Sequence, residues 1–152
     1  MMRTKTGTKV LNDMFNAKYD ISISIQQEGR NGNIAGKTTT TYDPKAKKKT
    51  IKSKDIVIYN ELLIKMSEEY NDLCGREESY IRNYENLPDI EKMYIKLGPT
   101  VEDMYTTIGT HEGVHASDKQ GMSGFNEKAE EYTINIEKQA VKELINKSEI
   151  EK

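Results

Sequence analysis

The only two histidines of this 152-residue chain are His111 and His115, and Glu112 follows the first. Together His111-Glu112-Gly113-Val114-His115 spell the pattern H-E-x-x-H. Residues four apart on a helix stand one turn above each other on one face, so two imidazoles at this spacing can hold one Zn2+. The glutamate then projects to the side of the ion. There it can take a proton from a water that the ion has acidified to a pKa of about 7, and hand it to a leaving amine. The competing role for this pair is packing in an apolar helix face. Burying two neutral imidazoles beside a glutamate with no ion would be costly.

Such a site needs a third protein ligand and an open fourth position. No third histidine exists, so the candidates are the nearby acids Asp118, Glu127, Glu130 and Glu131. Asp118 lies one turn beyond His115, but three ligands in a row on a straight helix would leave it about 10 Å from His111. It reads as a support or helix-end residue. The other three acids fall on a following helix, which the loop DKQGMSG returns antiparallel. Folding about Gly121 sets residues near 129 level with the histidines. Phe125, Ala129, Tyr132, Ile136, Ala140 and Leu144 define the inner arc of that helix, with Glu130 at its edge and Glu127 and Glu131 nearer solvent. Glu130 is therefore the expected third ligand. Glu127 and Glu131 remain alternatives as ligand; whichever does not ligate is a solvated helix charge or the carboxylate that accepts a histidine N–H.

The elements that must position these groups change character along the chain. TKVLNDMFNA, residues 8–17, predicts a short amphipathic helix. In YDISISIQQ, Ile21, Ile23 and Ile25 alternate with serines, as in a half-buried strand. KTTTTYDP and DIVIYN predict two further strands, joined by the basic run KAKKKTIKSK. ELLIKMSEEYNDLCG predicts a helix with Gly75 at its end, and EESYIRNYENL a further helical piece. Thr100 and Asp103 resemble a capping box, with Asp in place of the usual Glu, opening a helix from Val101 to His115 or Asp118. Val101, Met104, Ile108, His111 and His115 form one stripe of that helix, which faces the core. The last helix runs from about Phe125 towards Ile145. The expectation is one α+β domain over 1–152, strand-rich over 19–60 and helical over 61–150.

HEGVHASD followed by EKAEEYTINIEKQAVKEL resembles the glutamate-zincin metallopeptidases over roughly residues 100–145. More narrowly, it is similar to the compact zinc-protease domains of bacterial effectors and polymorphic toxins. In those, the histidine pair is completed by a glutamate followed three residues later by a small residue or Thr, which Glu130-Glu131-Tyr132-Thr133 fits. A thermolysin-like alignment instead sets Asn126-Glu127 at the ligand position and Glu131 as the supporting acid. The resemblance implies a small zincin-like fold, a Zn2+ cofactor and hydrolysis of a peptide or protein substrate. It also implies a toxin or effector role with a cognate immunity or inhibitor protein. Substrate would then bind extended against a strand edge, KTTTTYDP or DIVIYN. The family's oxyanion-stabilising group has no clear match: Tyr132 and Tyr105 are the candidates, with core packing as their competing role.

Composition narrows the classes further. Apolar residues make up 35% and charged residues 32%, with 23 Lys and Arg against 25 Asp and Glu, so no overall charge points to nucleic acid. No apolar run approaches the ~20 residues of a membrane span, and MMRTKTGTKV has no signal-peptide core. The expectation is a soluble protein, either cytoplasmic or delivered as an effector. Cys74 alone excludes an internal disulfide or CxxC site, and its position at an apolar helix site predicts burial. GRNGNIAG lacks the strand–glycine–helix context of a phosphate loop. The lysine run, with no aromatic interleaved, reads as a solvated hairpin. Two other function classes compete with a zinc endopeptidase. One is a zinc-stabilised binding or structural module without turnover; the other is a zinc hydrolase of a non-peptide bond.

Overall fold

The computed structural model describes residues 1–27, 34–117 and 127–152. Among these, five α-helices and three strands follow in the order α1 (Lys5–Phe15), β1 (Asp20–Gln26), β2 (Gly36–Tyr42), β3 (Ile51–Tyr59), α2 (Asn60–Leu73), α3 (Asp89–Leu97), α4 (Val101–Ser117) and α5 (Glu127–Ile150). The architecture is α+β, with the strands in the N-terminal half as their β-branched composition predicts.

The sheet has the order β1-β3-β2. β1 runs parallel to β3, and β2 antiparallel to it. The register aligns Ile21, Ile23 and Ile25 of β1 with Lys54, Ile56 and Ile58 of β3, and these with Thr40, Thr38 and Gly36 of β2. These residues share one sheet face, and α4 packs on it beneath β2 and β3. Ile56 and Ile58 are therefore buried against the helix layer. Ile23 and Ile25 overhang it and stay 49% and 60% exposed. The half-buried strand expected from the Ile-Ser alternation thus holds in phase but not in burial, because the helix layer stops short of the β1 edge.

Helix α4 begins as its sequence predicts. The Asp103 amide donates to Thr100 Oγ1 at 3.1 Å, and the Thr100 amide donates to Asp103 Oδ2 at 2.9 Å. Both halves of the capping box are formed. Helix α1 starts earlier than expected, because Thr4 caps it by accepting from the Gly7 amide at 2.9 Å. The carboxylate of Glu143, on α5, also accepts from the Lys5 amide at 2.5 Å and the Thr6 amide at 3.1 Å. A negative group there suits the positive end of the helix dipole.

Three sequence expectations are corrected. EESYIRNYENL forms two single 3-10 turns, Glu78–Tyr80 and Tyr84–Asn86, and the missing helix lies after Pro88 as α3. Cys74 is exposed: the chain leaves the helical conformation there (φ −62°, ψ 129°), and the thiol lies 3.7 Å from the Lys96 carbonyl at the end of α3. Tyr132 is 60% exposed, and the buried arc of α5 instead contains Thr133, Glu137, Ala140, Val141 and Leu144. The helix is turned so that Glu137 meets Tyr94 and His111 while Val141 and Leu144 stay in the core.

The core joins α1, the sheet and all the later helices through Val10, Ile56, Leu63, Met104, Val141 and their neighbours. Each such fully buried side chain contributes about 1.5–3 kcal/mol. No helix of the described residues is long and apolar enough to cross a membrane.

Candidate metal centre

The α4 stripe carries His111 and His115 on the face that meets α5. Glu130, near the start of α5, reaches both. Its Oε1 lies 3.2 Å from His111 Nε2, and its Oε2 lies 3.0 Å from His115 Nε2. The donor atoms of these three residues all fall within 4.8 Å of one another. Ligands at about 2.0–2.1 Å from a tetrahedral zinc stand roughly 3.3 Å apart, so the cluster is of the size that ion needs. Two imidazole nitrogens and one carboxylate also form a donor set zinc accepts while leaving a position open. The side chains of His111, His115 and Glu130 are 16%, 29% and 31% exposed, so the centre can be reached from solvent.

The tautomer of His111 is set from behind. Its Nδ1 lies 2.8 Å from Glu137 Oε2, an acceptor, so Nδ1 carries a hydrogen and Nε2 is the ring atom that faces Glu130. Glu137 is itself held: the Tyr94 hydroxyl donates to its Oε1 at 2.5 Å. Tyr94 stacks on Tyr70, with centroids 5.1 Å apart, and its hydroxyl oxygen lies 2.7 Å from Thr107 Oγ1. Burial, together with the negative charge and hydrogen bond of Glu137, pushes the Tyr94 hydroxyl well above its ordinary pKa, which keeps it a donor. Burial alone would depress the His111 imidazole. The hydrogen bond and charge of Glu137, with the charges of Glu112 and Glu130, outweigh it and leave it raised.

Glu112 lies on the adjoining side of α4, towards the sheet. The Thr38 hydroxyl of β2 donates to its Oε2 at 2.6 Å and lies 3.1 Å from its backbone carbonyl. Gly36 makes room for it: a Cβ there would stand 2.7 Å from Glu112 Cγ. Burial raises the Glu112 pKa, and the Thr38 hydrogen bond and the positive potential of His111 and His115 oppose that rise. A carboxyl raised above its ordinary value takes a proton more readily than a solvated one.

The C-terminal turn of α4 is also tied down. Lys54, only 2% exposed on β3, donates from Nζ to the His115 carbonyl at 2.6 Å, and the Tyr19 hydroxyl donates to the Ala116 carbonyl at 2.6 Å. A cation at that end complements the helix dipole.

Of the sequence-derived residues, His111, His115 and Glu130 come together and Glu112 stands beside them. Glu127 and Glu131 are exposed and outside the cluster. Asp118 lies outside the described residues. Tyr105 donates to Asn60 Oδ1 at 2.5 Å, away from the histidines. Tyr132 lines, with His115, Val114 and Ile136, a cleft of about 770 Å³ between α1, α4 and α5. The role expected of Glu127 or Glu131, a carboxylate on the histidine N–H, belongs to Glu137. Its signal was present: Glu137 follows Glu130 by seven residues, two turns along the same helix face.

The chain matches no known family model, and no characterised protein or solved structure matches it.

Proposed function

We propose that this protein is a zinc-dependent endopeptidase with a small zincin-like fold. The observation that carries the reading is the convergence of His111 Nε2, His115 Nε2 and the Glu130 carboxylate, with Glu112 on the adjoining side of the same helix turn. When bound, zinc would acidify a water and polarise the carbonyl under attack.

The chain's own residues supply the rest. His111, His115 and Glu130 would hold the ion, and Glu137 keeps the His111 lone pair aimed at it. Glu112 would take a proton from the attacking water and return it to the leaving amine. Thr38 restrains that carboxylate from β2. β3 is paired on both sides, so of the two strands expected to take an extended substrate only β2 offers an edge, and its Gly36 and Thr38 touch Glu112. Strand addition there would lay a peptide bond across the site. The toxin or effector role, with a cognate inhibitor, rests on the sequence resemblance.

Metal analysis and one substitution test this. The purified protein should take up one zinc per chain. Glu112→Gln should retain it and lose roughly 10²- to 10⁴-fold in turnover of an unfolded protein substrate. A protein without zinc affinity, or a Glu112→Gln variant of undiminished activity, would sink the reading.

A further inference from the structure

Five of the 23 basic residues fall in residues 45–52, a segment with no acid. The rest of the chain then holds 18 Lys and Arg against 25 Asp and Glu. Lys45, Lys47, Lys48, Lys49 and Lys52 are all exposed. The connection from β2 to β3 that carries most of them is closed by the Asp43 amide donating to the Thr50 carbonyl at 2.8 Å. Lys49 lies over the Tyr42 ring, 4.5 Å from its centroid. Among the described residues, no ion pair engages Lys45, Lys47, Lys48 or Lys52. A cluster of like charges on an otherwise acidic chain repels itself and attracts an acidic partner.

Its position says which partner. The cluster continues directly from β2, the strand whose inner face touches the general base. From Thr38, against Glu112, to Tyr42 at the end of β2 is four residues, or about 13 Å at strand rise. A peptide paired along the outer edge of β2, with its scissile bond at Glu112, reaches the lysines after roughly four to seven residues. Edge lysines also discourage unwanted strand pairing, but that role needs no cluster beyond the end of the strand.

We propose that the 45–52 segment is an exosite for acidic residues of the substrate, located roughly four to seven positions to one side of the scissile bond. This rests on the endopeptidase reading. Nucleic acid fits less well: the segment has no arginine and no aromatic interleaved for base stacking, and the remaining chain is net negative.

The test compares the zinc-loaded wild type with the triple variant Lys45→Ser/Lys47→Ser/Lys48→Ser. Both digest a proteome-derived peptide library, with cleavage sites read by mass spectrometry. The wild type should enrich Asp and Glu at those distal positions on one side, and the variant should lose that enrichment while preferences next to the bond persist. For an acidic peptide from the library, kcat/KM should fall about tenfold in the variant, chiefly through KM, and lose salt sensitivity. Cleavage without distal acid enrichment, or enrichment that survives in the variant, overturns the exosite and leaves the endopeptidase reading intact.

A binding arm does not depend on turnover. Fluorescein-labelled octaglutamate, octalysine and oligo(dT) are titrated into the Glu112→Gln protein with and without the triple change. Octaglutamate bound only with the lysines present supports recognition of acidic chain by this segment; a library left uncleaved would overturn the endopeptidase reading and the exosite with it. No binding of octaglutamate, or tighter lysine-dependent binding of oligo(dT), overturns the exosite.

Discussion

At the residue scale, the site separates groups that would hold an ion from groups that hold those groups. Glu130 bridges the two imidazoles, whereas Glu127, one turn earlier, is exposed. Glu130→Ala should therefore abolish tight zinc binding and Glu127→Ala should not, as measured by competition with a chromophoric chelator. Glu137→Ala should lower zinc affinity about 10- to 100-fold in the same assay, because the His111 ring loses the acceptor that fixes its tautomer. Thr38→Val is expected to behave differently. It removes the donor on Glu112, touches no ligand, and should leave zinc content unchanged while kcat/KM falls about tenfold. Loss of zinc in that variant would mean that Thr38 supports the fold and not the base.

At the element scale, the two helices of the site sit in a frame that sets their rotation. Gly113, inside the H-E-x-x-H pattern, packs directly against α1. A Cβ there would stand 2.7 Å from Val10 Cγ1 and 3.0 Å from Met14 Sδ. Helix propensity alone would favour Gly113→Ala by about 1 kcal/mol. Overpacking typically costs about 1–3 kcal/mol, and here two buried side chains of the core must yield. Gly113→Ala should thus lower the melting temperature, despite making α4 a better helix. A rise would show that α1 gives way freely. The same frame explains two misplaced expectations. The Ile-Ser alternation of β1 is sound, but whether its isoleucines are covered depends on how far α4 extends beneath the sheet. Tyr132 falls on a plausible inner arc, yet α5 is turned so that Thr133 and Glu137 are buried instead.

At the scale of the whole molecule, stability should respond to pH and to metal. Burial and nearby carboxylates push the Tyr70 hydroxyl up to about 12, and Tyr94 lies well above its ordinary value. In the unfolded chain both would ionise near pH 10. Between about pH 10 and 12 the folded state retains protons that the unfolded state has lost, so stability is full below that window and declines through it. Denaturant midpoints should fall as pH rises across this range, and less steeply in Tyr70→Phe. Zinc binding by the native state alone adds stability by mass action, about 4 kcal/mol at a thousandfold excess over Kd. A chelator should therefore lower the melting temperature of the zinc-loaded protein, and Glu130→Ala should remove that response.

The sequence by itself determined what depends on local geometry. Four-residue spacing puts His111 and His115 on one helix face wherever that helix lies, and the capping box of Thr100 and Asp103 closes within one turn. Glu130 was legible because a short return and a helical wheel constrain its height and angle. Tertiary structure decided everything that comes from remote elements. Thr38 and Gly36 reach Glu112 across more than seventy residues, Lys54 reaches the His115 carbonyl from β3, and Tyr94 holds Glu137 from α3. Periodicity tells which face of an element is apolar. It does not tell which neighbour covers that face, or how far, and burial, hydrogen bonding and pKa are set by that neighbour.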